Sequence, residues 1–409
     1  MRSIIDLSPL RVSRSFRLFW AGTSAQSLAR QMTNVAVLFQ IWDMTGDAFW
    51  VGVLALVTAV PMIVLGMIGG WLADNFDRRV VISVTTLGAV IASLVLVLQA
   101  FLELNSIALL LAIVFVQTCF TSAGGPARRS VLPRILPDRV LSAGYALTQL
   151  SFQVAMLLGP VLGGVLIATF GLGVTYGVEV VGFTLALLGI WSLPSIPPEI
   201  SVRKFNLQSV FAGIAEVRKR PVLLGSFLID AFATILVMPI AVLPLLNAER
   251  FLNSPDMLGV LLSSIALGGV VAGAFSGLYS RVRRMGILQI VSAVVWIACL
   301  GALALPVGLA GTVALLALAG AADMVAVVTR GTMIQLSTPD ELRGRVSAVE
   351  QVVGVAGPEL GNFRGGVSAS LLGLGPSIIG GALAALAVVA CTYFAIPAVR
   401  DYKLESDSV

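Results

Sequence analysis

Apolar residues run along this chain in long blocks, and polar residues gather in short stretches between them. WVGVLALVTAVPMIVLGMI (Trp50–Ile68) and VISVTTLGAVIASLVLVLQAFL (Val81–Leu102) carry no charge, while the stretch between them, GGWLADNFDRRV, carries two acids and two arginines. A transmembrane helix needs ~20 apolar residues, whereas a barrel strand needs ~10 in strict alternation. These blocks are long and do not alternate, so they predict helices. Twelve fall near 17–43, 48–73, 79–102, 105–127, 140–168, 171–193, 222–247, 257–280, 286–305, 309–335, 345–372 and 376–399. The longest polar stretch, 194–221, opens on prolines and closes on an amphipathic basic piece. It divides the chain into an N-terminal six-helix bundle (1–193), a cytoplasmic linker (194–221) and a C-terminal six-helix bundle (222–409).

Composition agrees with an all-α integral membrane protein. Of 409 residues 58% are hydrophobic and only 11% charged, against roughly 25% charged in a soluble domain. The N-terminus is basic and lacks the compact apolar core and cleavage site of a signal peptide, so the first span reads as retained. The net charge of +5 sorts by loop rather than forming a basic soluble domain, which argues against nucleic-acid binding. Every other loop is basic: Arg78 and Arg79; Arg128, Arg129, Arg134 and Arg139; Arg203, Lys204, Arg218, Lys219 and Arg220; Arg281, Arg283 and Arg284; Arg343 and Arg345. The ends add Arg2, Arg11, Arg14, Arg17, Arg400 and Lys403, and the opposite loops supply only Arg250. The positive-inside rule then places both termini in the cytoplasm. Three scattered cysteines and no histidine give no metal spacing and no His-based proton relay.

The halves echo each other. Arg128, Pro137 and Asp138 register with Arg330, Pro339 and Asp340, and GPVLGG (Gly159–Gly164) registers with GPELGN (Gly357–Asn362). A six-span repeat is the sequence mark of a transporter built around a midplane site. The second pairing sets Glu359 opposite Val161, a carboxylate where the first half has an apolar residue.

A charge inside a span costs at least ~2.5–3.5 kcal/mol and is a functional candidate. Arg30, Glu179, Asp230, Asp323, Arg330, Glu359 and Arg364 all fall within spans. Arg330 follows Asp323 by two turns on one face. Glu359 and Arg364 point about 140° apart, so each is expected to find a partner on another helix. With no histidine a proton must ride on a carboxylate, which makes Asp323, Glu359 and Asp230 the coupling candidates; Glu179 and Glu350 read as structural. Arg30, Asn34, Gln40, Arg330 and Arg364 are the candidates for lining a substrate cavity, where a cation beside amides and aromatics suits an anionic or phenolic ligand.

The loop after span two, Gly70, Asp74, Arg78 and Arg79, resembles the cytoplasmic loop motif of the major facilitator superfamily, with Asn75 and Asp77 replacing a basic residue and a glycine. The resemblance implies a gate in which Asp74 and Arg78 hold the two bundles together on the cytoplasmic side. LLGPVLGG, with Gly159, Pro160, Gly163 and Gly164, resembles the span-five motif of proton-driven exporters. FRLFWAG, FQIWDMTGDAFWVG, GGPARRSVLPRILP and LRGRVSAV resemble the enterobactin-exporter-like branch, which contains siderophore, drug and macrolide exporters. The resemblance implies a proton-coupled antiporter, driven by the proton gradient without a cofactor. It would export a bulky amphipathic molecule across the bacterial inner membrane by alternating access, most simply as a monomer in the lipid bilayer. A siderophore is the favoured cargo and multidrug or macrolide efflux the alternative; a sensor that keeps the fold without transport is a third reading. No loop furnishes an enzyme's nucleophile–base or metal constellation.

Overall fold

The computed structural model describes residues 6–198, 208–279 and 282–403, and all regular structure among them is helical. In chain order the helices are α1 (Ser8–Val12), α2 (Arg14–Thr45), α3 (Ala48–Asn75), α4 (Arg78–Phe101), α5 (Ile107–Arg129), α6 (Leu132–Ile135), α7 (Asp138–Trp191), α8 (Gln208–Lys219), α9 (Pro221–Val237), α10 (Leu243–Arg250), α11 (Pro255–Ala274), α12 (Ser276–Tyr279), α13 (Met285–Ala302), α14 (Leu309–Ser337), α15 (Asp340–Leu372), α16 (Leu374–Ala395) and α17 (Pro397–Arg400). Helix is the form such a chain must take in lipid, where no water is present to satisfy backbone N–H and C=O groups. Among the described residues nine helices are long and apolar enough to cross a membrane, with α9 and α10 counted as one. The chain is a multi-pass membrane protein. Of the basic residues that set its expected orientation, Arg2, Arg203, Lys204 and Arg281 lie outside the described residues, as does the side chain of Arg345.

The chain forms two compact units. The first comprises Met1–Met44, Val57–Phe205 and Ser254–Gly259; the second comprises Thr45–Leu56, Asn206–Asn253 and Val260–Val409. In the first unit Phe16, Phe19, Ile82, Leu132, Leu136, Leu147 and Ile190 form a closed apolar core. The opposite side of α4 exposes Val80, Val84, Leu87, Ile91, Leu94 and Leu98 at helical spacing. In water that stripe would be a liability; in a bilayer it faces a solvent as apolar as itself.

Two helices depart from regularity in informative ways. α7 holds two spans in one run, divided at Gly171 (φ 80°, ψ 176°). α15 ends at Gly373 with nearly the same angles (φ 83°, ψ 172°). Both conformations lie where a side chain would be strained. The first arm of α7 runs from Asp138 after Pro137 to Gly171, and α15 runs from Asp340 after Pro339 to Gly373, so the two helices are equal in length. This common frame corrects the motif-to-motif pairing. It slides the second motif by about one turn, setting Gly361, Gly365 and Gly366 opposite Gly159, Gly163 and Gly164. Glu359 falls opposite Leu157 rather than Val161, and Asn362 falls opposite Pro160.

The second departure is the break between α9 and α10. Met238 takes extended geometry (φ −61°, ψ 126°) before Pro239, and a 3₁₀ turn at Ile240–Val242 leads into α10. A proline disfavours helical geometry in the residue before it, so the M-P dipeptide ends α9 here.

Candidate functional site

In the first unit the polar residues form a closed network. Glu179, on the second arm of α7, is fully buried. Its carboxylate accepts from Arg30 NH1 of α2 at 3.2 Å, Gln117 Nε2 of α5 at 2.9 Å and Ser93 Oγ of α4 at 3.1 Å. Arg30 NH1 also donates to Gln117 Oε1, and Gln117 Nε2 lies 2.8 Å from Ser93 Oγ. Four helices are thus tied through one ion pair. Each ion alone would carry a penalty of several kcal/mol, and the pairing with added hydrogen bonds offsets it. The Arg30 side chain remains a quarter exposed. Asn34, one turn on, is exposed and donates to Gln31 Oε1 at 3.0 Å.

Gln40 is enclosed instead. It exchanges two amide hydrogen bonds of 3.1 Å with Gln99 and accepts from the Tyr176 hydroxyl at 2.6 Å. Of the expected cavity residues on α2, Arg30 and Asn34 therefore keep accessible surface and Gln40 does not. The sequence reading missed Ser93, Gln99 and Gln117. Their signal was an amide or hydroxyl inside an otherwise apolar block, the pattern expected of interhelical hydrogen bonds in membranes.

The second unit has an ion pair of its own and a carboxylate outside it. Arg330 of α14 is ion-paired with Asp230 of α9, and its Nε lies 3.8 Å from Glu350 of α15. Asp323, two turns before Arg330, senses the charges of both Asp230 and Arg330 but has no hydrogen bond or ion pair among the described residues. Three of the expected residues, Asp230, Asp323 and Arg330, are thus brought together. Glu359 and Arg364 do not pair with each other. Among the described residues Glu359 forms no ion pair, so the partner expected on another helix is not found. Arg364 is half-buried, with its Nε buried and unpartnered. It lines a cavity of about 20 Å³ with Leu236–Pro239, Val242, Leu300, Leu303, Ser377 and Ile378. Its guanidinium stands beside the last turn of α9, where a cation complements the helix dipole.

The glycine motifs are packing grooves. In the first unit a Cβ at Gly159 would lie 2.4 Å from Gln31 Cβ, one at Gly163 2.9 Å from Met32 Cα, and one at Gly164 2.5 Å from the Pro255 carbonyl oxygen. Pro160 packs its carbonyl against Gly259 of α11, 2.3 Å from where a Cβ would sit. In the second unit a Cβ at Gly357 would meet Thr234 Oγ1 at 2.8 Å, one at Gly361 the Thr234 carbonyl oxygen at 2.3 Å, and one at Gly366 the Ala48 carbonyl oxygen at 2.5 Å. Such backbone contact requires glycine and holds helices together where lipid offers no hydrophobic driving force.

At the loop between α3 and α4, Gly70 has open space where a Cβ would point. Asp74 is exposed on the last turn of α3 and makes no hydrogen bond among the described residues. Arg78 opens α4, buries its side chain to 9% exposure and leaves Nε without a partner. Arg79 NH2 donates to the Trp191 carbonyl at 2.7 Å. The residue that organises the loop is Asp77, which the motif comparison treats only as a departure. It caps α4 by accepting from the Arg79 N–H at 2.8 Å, and it also accepts from Ser195 Oγ and from the Ile196 N–H at 3.1 Å. Partial burial works to raise its carboxyl. The hydrogen bonds from Ser195, Ile196, Arg79 and Val80 outweigh that and hold it below the ordinary value.

Residues 4–408 match the family described as transmembrane secretion effector. The chain belongs to this family, within the major facilitator superfamily. It is 30% identical over 387 residues to the enterobactin exporter EntS of Citrobacter koseri, and 29% identical over 387 residues to that of Escherichia coli, covering 92% of both chains in each case. Solved structures share the fold. A peptide transporter POT superposes with a TM-score of 0.77 at 12% identity over 96% of both chains. A bacterial homolog of the human lysosomal transporter Spinster gives 0.73 at 16% identity over 95% of this chain and 97% of that one. The family is one of membrane transporters rather than enzymes.

Proposed function

We propose that this protein is a proton-coupled antiporter that exports a siderophore-like molecule across the bacterial inner membrane by alternating access. The observation that carries the reading is family membership over nearly the whole chain, together with the enterobactin exporters it matches end to end. Twelve spans are supported by the nine apolar helices, the division of α7 at Gly171, and the lengths of α2 and α15, which have 32 and 33 residues but more polar sequences. An even number of spans with the basic loops on one side supports the reading of both termini as cytoplasmic.

In this reading Arg30 and Asn34 offer donors to an anionic or phenolic cargo, since they combine polarity with accessible surface. Arg330 and Arg364 serve their own unit: the first is the counter-ion of Asp230 and the second complements the end of α9. Asp323 and Glu359 carry the proton, being carboxylates in a membrane span with no ion-pair partner. Asp230 joins them only when Arg330 leaves it. Gly70, Asp74, Arg78 and Arg79 act as the cytoplasmic gate.

The test is secretion. The chain is expressed in a bacterium lacking its own catecholate-siderophore exporter, and intact siderophore in the medium is quantified under iron limitation. Restored secretion that is lost in Asp74→Asn is the expected result. Normal membrane insertion without secretion, alongside raised resistance to macrolides or dyes, would replace the siderophore reading with drug efflux.

A further inference from the structure

The loop after α3 is tied to the end of α7 by more bonds than a helix cap needs. A capping carboxylate needs one oxygen to hold the first free N–H groups of its helix. Asp77 Oδ1 does this for α4, accepting from the Arg79 N–H at 2.8 Å. Its other oxygen, Oδ2, accepts from the Ser195 hydroxyl and from the Ile196 N–H at 3.1 Å. The Ile196 carbonyl in turn accepts from the Arg78 N–H at 3.0 Å, and Arg79 NH2 donates to the Trp191 carbonyl at 2.7 Å. Residues 191–196 thus form a strap bonded to the first turn of α4. Its apolar side is anchored too, since Leu193 and Ile196 are buried in the same core as Val81 and Ile82 of α4. Arg78 stands inside this clasp. Its own N–H and the residues on either side of it all bond to the strap, and its side chain is buried. A glycine, the motif's residue at position 77, could make neither carboxylate contact.

We infer that Asp77 is a positioning residue for Arg78: by bonding the 191–196 strap to the first turn of α4, it fixes the backbone from which Arg78 acts. This rests on the reading of Arg78 as a gate residue. A functional side chain keeps its direction only when the groups behind it are held by bonds of their own. The two jobs of the carboxylate fall on different oxygens, so they can be separated. Asp77→Asn has one oxygen for two sets of donors. With that oxygen on the cap, where asparagine is well suited, its NH₂ meets the Ile196 N–H, donor against donor. Ser195→Ala removes one strap bond and leaves the cap untouched. A residue that only capped α4 would tolerate both changes.

The experiment reads the strap, Arg78 and transport in turn on the full chain. Hydrogen exchange in lipid nanodiscs, followed by mass spectrometry, covers peptides 75–82 and 191–198. Asp77→Asn should exchange about five- to tenfold faster in both, with the thermal unfolding midpoint close to that of the wild type. Ser195→Ala should move both peptides in the same direction by less, and it covers the case in which the asparagine variant does not fold. Unchanged exchange in the folded variants would overturn the inference. Arg78 is read without cargo by maleimide alkylation of Arg78→Cys in the same nanodiscs, with labelling of the native cysteines subtracted. Adding Asp77→Asn or Ser195→Ala should speed alkylation several-fold, and an equal rate would overturn the inference. In the secretion assay Asp77→Asn should lower export several-fold and add nothing to the loss caused by Arg78→Ala. A merely structural role would make the two losses multiply, and that result would also overturn it. A chain that secretes neither siderophore nor drug, yet shows the expected exchange and alkylation, would sink the functional reading and leave the positioning of Arg78 standing.

Discussion

The first arm of α7 packs on α2 much as α15 packs on α9. Each presents a groove of glycines, Gly159 and Gly163 in one unit, Gly361 and Gly365 in the other. At Gly159, Gly163 and Gly361 a single Cβ would strike the facing helix, while one at Gly365 would only touch the chain at the break. The facing helices differ. α2 runs unbroken from Arg14 to Thr45, and its charge, Arg30, is tied into a four-helix network. α9 stops at Val237, and near it Asp323 has no hydrogen bond or ion pair among the described residues. The repeat supplies one packing scheme, and in the second copy the helix facing the groove is broken. An ion pair fixed by hydrogen bonds from three helices resists rearrangement, even though Gln26 Oε1 and Thr33 Oγ1 on α2 lack partners; a carboxylate outside any ion pair beside a broken helix allows more than one arrangement of similar energy.

The comparison can be broken most sharply at the ion pairs. Glu179→Ala leaves Gln117, Ser93 and the partly buried Arg30 without their common acceptor and should cost about 3 kcal/mol, seen as a large fall in the thermal unfolding midpoint in detergent. Asp323→Ala removes a carboxylate with no ion pair and should leave that midpoint nearly unchanged. Equal losses would mean that the two units are paired alike.

Smaller effects are expected in the grooves. Gly163→Ala and Gly361→Ala each force a Cβ against backbone and should destabilise by about 1–3 kcal/mol. Gly361→Ala should also speed exchange at 238–243, because the break lets the facing chain move, while Gly163→Ala should leave α2 as protected as before. Matching exchange behaviour in the two variants would remove the distinction between a continuous and a broken partner.

The smallest effect concerns Asp77. Asp77→Ala removes an N-cap and should cost about 1 kcal/mol. The folded carboxyl titrates below its unfolded value of about 3.9. Its contribution is therefore present above that value and lost as pH falls through the folded one. The stability gap between wild type and variant should hold from about pH 5 upward and close in stronger acid. A gap that stays open in acid would show that the ionised cap is not its source.

Helix positions were legible in the sequence because an apolar block of bilayer length has one solution in lipid. The grooves were legible too, since Gly-x-x-x-Gly spacing lines one helix face. The frame of the repeat was not. GPVLGG and GPELGN match best as strings, yet the structure slides them by a turn, because the glycines that touch the neighbouring helix, not the prolines, keep their places. The break at Pro239 was hidden inside an apolar block from which nothing polar signalled an interruption. The network around Arg30 was hidden for a different reason: Ser93, Gln117 and Glu179 lie far apart in sequence, and only the packing of four helices brings them together.

The most direct test of the account compares two modes of transport in proteoliposomes for Glu359→Gln and Asp323→Asn. An antiporter with a neutralised coupling carboxylate loses accumulation driven by a pH gradient but keeps exchange of labelled for unlabelled cargo across the same membrane. The account predicts that pattern for at least one of the two variants. Full gradient-driven accumulation in both variants and in their combination would contradict it, and would move proton coupling out of the second unit's carboxylates.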